Sequence, residues 1–187
     1  KPKFIISPSL LLPRTARVSN SQYASTALHS DSWEGYPYSF KELISAISEY
    51  QVNNVVLVSG DAHLSFVSEL EISCANSSLN LLSIHSSGLY SPLPFANARK
   101  QDIAFNENFD FQLQNKAALN VQVKTQDNEI VLGDGFATID VVKGKQGWLL
   151  TTSFSRENGT HMIKKTLLDS GSTPGSIQQP IPELEDV

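Results

Sequence analysis

Four apolar residues, Val55-Val56-Leu57-Val58, run without a polar interruption and stop at Ser59-Gly60. An unbroken, mostly β-branched run of this length suits a strand buried on both faces, as in a mostly parallel sheet. Gly60 permits a sharp turn and a close backbone approach. Asp61 and His63 follow, one residue apart. If the chain stays extended there, residues i and i+2 project to one face. A carboxylate and an imidazole then leave the carboxyl end of a buried strand together, where open α/β sheets bind their ligands. Such a pair is a start for a transition-metal site, although a closed site needs about four ligands. The alternative at this point is that Asp61 caps a turn and His63 hydrogen-bonds locally.

The remaining composition fits one folded domain. The 187 residues are 40% hydrophobic and 18% charged, long enough to bury a substantial core. A net charge of −5 argues against a general nucleic-acid backbone binder, which needs a basic face. No stretch approaches the roughly 18 to 20 apolar residues of a membrane-spanning helix. Cys74 is the single cysteine, so no internal disulfide forms, and it reads as a small apolar strand residue. This leaves cytoplasmic and periplasmic or secreted locations both open. Asn76-Ser77-Ser78 and Asn158-Gly159-Thr160 match glycosylation sequons but are too short to decide a compartment. The first residue is Lys1, with no signal peptide, and the expectation is that upstream sequence has been removed.

Ahead of the apolar run stands Asp31-Ser32-Trp33-Glu34-Gly35-Tyr36-Pro37, followed by a helical pattern. The order D-x-W-x-G-Y-P, helix, N-V-V-x-x-S-G-D-x-H resembles the alkaline phosphatase D (PhoD-like) family of the calcineurin-like metallophosphoesterase superfamily. The resemblance is carried by residues 30–70 and continues as a β-rich pattern to residue 168. It implies metal-dependent phosphatase or phosphodiesterase chemistry, with Asp61 reaching one metal and His63 completing the other. It also implies iron and calcium, or manganese or zinc, in the complete enzyme. The family's earlier metal-binding motifs, a first metal-binding strand and G-D-x-x-D-like and G-N-H/D-like turns, have no counterpart here. The resemblance therefore implies a C-terminal half, weak or absent metal binding by this chain alone, and a partner that is either the missing N-terminal half or a second copy. Residues 1–168 are expected to form that half domain, and 169–187 a flexible acidic tail.

Taken in order, residues 3–7 read as a strand closed by Pro8. Leu10-Leu11-Leu12 lies between prolines and reads as an edge or extended segment. Residues 14–30 are polar and aperiodic, a long loop. Trp33 either walls a substrate pocket or anchors its loop on the sheet, and Asp31 assists at the site or organises the loop. Ser39-Phe40-Lys41-Glu42 fits a capping box, and Phe40, Leu43, Ile44, Ile47 and Tyr50 keep helical spacing, predicting a helix over 40–50. Strands follow at 54–58, 66–73 and 79–84, with a turn at 76–78. His85 ends the third of these. It can reach the rim beside Asp61 if strands 79–84 and 54–58 are neighbours, and otherwise it is a surface or strand-end histidine. Residues 92–98 read as a pocket-shaping loop, and Phe105, Phe109 and Phe111 as packing. From residue 118 onward, short strands at 119–124, 129–132, 136–142, 148–154 and 162–168, separated by Gly/Asn turns, predict an antiparallel meander. Asn158-Gly159 is a hairpin signal. Trp148 reads as sheet packing, and His161 has no evident partner.

The fold expected is α/β: a sheet-rich layered architecture with few helices, a mixed sheet carrying helix 40–50 on one face, and a C-terminal antiparallel meander packed against it, half of a metallophosphoesterase two-sheet sandwich. The function expected is hydrolysis of phosphate esters, with the site shared beyond this chain. A non-catalytic β-rich binding or assembly domain is the alternative, with a groove along Trp148 or the phenylalanines. A serine hydrolase built on Asp61 and His63 has little support, because no G-x-S-x-G nucleophile elbow is present.

Overall fold

The computed structural model describes residues 1–15, 33–60, 63–74, 77–90, 100–112, 118–125, 130–156, 159 and 161–169. Its centre is a seven-stranded mixed sheet. Strand β1 (Lys3–Ser7) pairs in parallel with β2 (Val55–Ser59), and β2 in parallel with β4 (Ser77–His85). The long β3 (Leu64–Cys74) returns antiparallel to β4 and pairs on its other edge with β6 (Leu119–Thr125), which carries β5 (Glu107–Phe111) at the far edge. The two-residue β7 (Val131–Leu132) joins the first residues of β3. Then β8 (Gly135–Lys143), β9 (Gly147–Arg156) and β10 (His161–Asp169) form a separate three-stranded antiparallel sheet.

The helix, α1 (Pro37–Glu49), lies on one face of the mixed sheet. Phe40, Ile44 and Ile47 are buried against Val55, Leu57, Leu70, Ile72, Leu79, Leu81, Val121 and Val123. Each such side chain, fully buried, contributes about 1.5–3 kcal/mol. The opposite face presents Val56, Val67, Leu82 and Ile84 to Leu150, Phe154 and Leu168 of the second sheet. Val55 and Leu57 thus face the helix while Val56 faces the meander, which is why the run of β2 contains no polar residue. The expected layered architecture is present.

Local departures have physical reasons. The helix begins at Pro37, a turn ahead of the expected capping box, and no side chain caps it. Proline at the first helical position needs no N–H partner and has its φ preset; a 3-10 turn over Trp33–Gly35 leads into it, with the Tyr36 N–H donating to the Trp33 carbonyl. Ser39 is therefore inside the first turn. Gln51 and Asn54, both with positive φ, reverse the chain into β2. Ser77 and Ser78, expected in a turn, already belong to β4. The meander comprises the last three strands alone: β6 inserts into the mixed sheet beside β3, and β7 pairs with β3. The Leu10–Leu12 segment, expected as an edge or extended segment, is not a sheet edge: it is part of the core, with Leu12 fully buried. Its backbone is held from the sheet, where the Ser83 hydroxyl donates to the Leu12 carbonyl at 2.5 Å. Arg14 closes the far side, paired with Glu107 and stacked 3.8 Å above the Phe109 ring. Most of the polar loop expected over 14–30 and the loop over 92–98 lie outside the described residues, as does nearly all of the expected tail. Among the described residues, no helix is long and apolar enough to cross a membrane.

Candidate functional site

The carboxyl ends of β1, β2 and β4 finish in register. Ser7 is opposite Ser59, Ser59 is opposite His85, and His85 is opposite Phe66 of β3. These four residues form a row across the sheet, on the face covered by α1. The indole Nε1–H of Trp33 donates to the Ser7 Oγ at 2.8 Å, and that hydroxyl donates to the Ser9 carbonyl at 2.7 Å. Trp33 also packs against the helix-side core. Its anchoring role is therefore physical: the loop carrying the D-x-W motif is pinned to the end of β1.

His85 is fully buried, and its Nδ1 is 2.8 Å from the Ser59 Oγ. The ring stacks on Phe66 at 5.0 Å with the planes 14° apart, and Phe66 meets Phe105 edge-on at 4.8 Å. Strands β2 and β4 are neighbours, the condition under which His85 comes to the rim. It is a strand-end residue, as the other reading held, but it is enclosed and not at the surface. The row beside it is apolar because Leu10, Leu64, Ile103 and Phe105 close over Phe66.

The D-x-H loop leaves β2 directly after this pair. Asp61, together with Asp31, lies outside the described residues. Gly60 has room for a side chain, since a Cβ there would meet only the carbonyls of Pro8 and Ser86 at 3.6 Å. His63 stands at the bend before β3 and is partly exposed. Two neighbouring segments hold this loop. The Ser86 N–H donates to the Ser59 carbonyl at 3.0 Å, on the way into the loop. On the way out, the Gly133 N–H donates to the His63 carbonyl at 3.3 Å. Ser87 joins the two holders: its hydroxyl donates to the Gly133 carbonyl at 2.8 Å and its N–H to the Ser65 Oγ at 2.9 Å. The Gly135 N–H donates to the Gly88 carbonyl at 3.0 Å. Sequence reasoning missed the Gly133-Asp134-Gly135 turn as part of this rim. It read as a separator, and the two-residue pairing of β7 with β3 that brings it to His63 has no periodic signal.

A carboxylate and an imidazole suit a divalent or trivalent transition metal by donor type. Among the described residues, no group of three or more His, Cys, Asp or Glu side chains is assembled to hold an ion. The sites offered to the alternative binding-domain reading are filled: Trp148 packs into the core between the sheets, Phe105 is buried, and Phe109 packs on Phe40. His161 has a partner after all, its Nδ1 lying 3.0 Å from the Ser155 Oγ on the exposed face of the meander.

Alkaline phosphatase D of Bacillus subtilis (strain 168) is 41% identical over 49 residues, which are 26% of this chain and 8% of that protein. The chain therefore corresponds to a small part of the length of that relative. No solved structure matches. A family model described as PhoD-like phosphatase matches residues 5–132, from β1 through the D-x-H loop to β7, and over that majority of its length the chain belongs to the PhoD-like phosphatase family.

Proposed function

We infer that this chain takes part in metal-dependent hydrolysis of phosphate esters, contributing Asp61 and His63 to a metal site completed by polypeptide outside these 187 residues. The observation that carries this reading is the family match spanning the D-x-H loop at the carboxyl end of β2. The donor types fit, and iron, calcium, manganese and zinc are the candidate ions. When bound, such ions polarise the phosphoryl oxygens and supply a hydroxide at neutral pH. The chain's own task is to supply these two donors from the loop that follows β2. Ser59 and Ser86 fix the loop's entry, and Gly133 fixes its exit. His85 and Trp33 act behind the rim, through Ser59 and Ser7.

Two ligands alone hold an ion weakly. The isolated chain is therefore expected to be inactive or nearly so, and to need a complementary N-terminal half or a second copy. Among the described residues β1 is an edge strand of the mixed sheet, with Phe4 and Ile6 exposed, and a further strand there would extend the sheet. Both monoesters and diesters suit the chemistry.

Calorimetric titration of the purified chain with Fe, Mn, Zn and Ca tests the reading. Weak uptake that is lost in both Asp61→Asn and His63→Ala supports a shared site and justifies restoring an N-terminal half to seek phosphoesterase activity. No uptake, or uptake indifferent to both substitutions, moves the assignment to a β-rich binding or assembly domain.

A further inference from the structure

Arg156 ends β9, beyond the apolar core between the sheets. Along β9, Leu150, Thr152 and Phe154 are buried while the residues between them are not, so the even-numbered side chains face the mixed sheet. With a period of two, Arg156 continues that inner stripe past the end of the apolar core. It is opposite Gly135 in register, and so beside the turn that grips His63. A Cβ placed on Gly133 would lie 2.6 Å from Arg156 Nη2. The guanidinium therefore rests directly on the Gly133 backbone, whose N–H is bonded to the His63 carbonyl. Gly133 has φ +88°, a backbone conformation that favours glycine.

The arginine is partly withdrawn from water, yet among the described residues its guanidinium forms no hydrogen bond or ion pair. Arg14, the other arginine described, is paired with Glu107 and stacked on Phe109. A partly buried arginine usually has an anionic partner. The planar fork of donors matches two oxygens of a phosphate group. General basicity does not account for the position, since the chain as a whole carries −5.

We propose that Arg156, seated on the Gly133 turn beside His63, is the contact for the non-bridging oxygens of a phosphate group at this site. The identification of the anion as the substrate's phosphate rests on the metallophosphoesterase reading; the anion site itself does not. Asp134 is the acidic residue of the same turn and opposes the anion, which sets the sign of one variant below.

The test is binding of inorganic phosphate to the full chain in metal-stripped, low-salt buffer, followed by 31P NMR and calorimetry. The wild type is expected to bind saturably. Arg156→Gln should weaken binding about tenfold or more, the loss of a charge-assisted pair. Arg156→Lys should recover part of it, because it keeps the charge and loses the fork. Asp134→Asn should tighten it, and Arg14→Gln should leave it unchanged, with thermal melts confirming that each variant is folded. Phosphate affinity equal to wild type in Arg156→Gln, or no saturable binding by the wild type, overturns the proposal. Loss of metal uptake in Asp61→Asn and His63→Ala reports on the metal site, and loss of metal-free phosphate binding in Arg156→Gln on the anion contact.

Discussion

Replacing Ser59 by alanine and His85 by phenylalanine, singly and together, measures whether the buried pair behind the D-x-H loop acts as a unit. The two polar atoms are 2.8 Å apart, with Ser59 7% exposed and His85 0%. Ser59→Ala leaves the His85 Nδ1 buried without this partner. His85→Phe keeps a flat ring on Phe66 but strands the Ser59 hydroxyl. Leaving one member of a buried hydrogen bond unsatisfied costs about 1–3 kcal/mol, whereas removing both is close to neutral for the pair. Each single variant should therefore lose about 1–3 kcal/mol, and the double variant should lose less than the sum by about 2 kcal/mol or more. His85 makes further interactions, and the cycle cancels them because they are absent from both His85→Phe proteins. Urea denaturation followed by far-UV circular dichroism supplies the four stabilities. Additivity within about 0.3 kcal/mol would refute the reasoning, since sites that do not interact add to within that margin.

Two further predictions test the rim. Phe66→Ala, at a fully buried ring that touches both His85 and Phe105, should destabilise by about 3–5 kcal/mol in the same urea assay. Trp33→Phe keeps most of the packing but removes the indole donor to Ser7, and should cost about 1 kcal/mol; a loss below measurement error would show that the indole hydrogen bond does not hold the loop.

Much of the fold is legible in the sequence because burial imposes a period. The helix shows its apolar stripe, β2 shows a run without polar breaks, and β8, β9 and β10 are marked by Gly/Asn turns. What periodicity does not carry is the identity of a strand's partner. The alternation of β6 reads the same beside β7 as beside β3, and only the tertiary pairing of Ile72 with Val121 places it in the mixed sheet. Strand β5 was hidden in a stretch where Phe109 and Phe111 alternate with Asn and Asp, residues that read as turn formers. At the proposed site, the D-x-H loop stands out in the sequence because its two donors are one residue apart. Its supports do not. Gly133 and Arg156 reach the rim through β7, β8 and β9, and a short pairing of Leu64 with Leu132 is what brings them there. His85 looked like a polar strand end because Phe66, the ring that encloses it, is its antiparallel neighbour and not its neighbour in sequence.

The parallel pairing of β1 with β2 has a kinetic consequence. Lys3 meets Val55 only after the intervening chain, α1 included, has been gathered in. The β3–β4 hairpin and the β8–β9–β10 meander join residues close in sequence and close small loops. Long loops are costlier to close and slower to form. The local hairpins therefore assemble early, and β1 joins β2 after them, as β6 and β7 join β3 across similar or longer stretches of chain. Ser7, and the tryptophan that hangs from it, reach the rim with one of these later, long-range pairings.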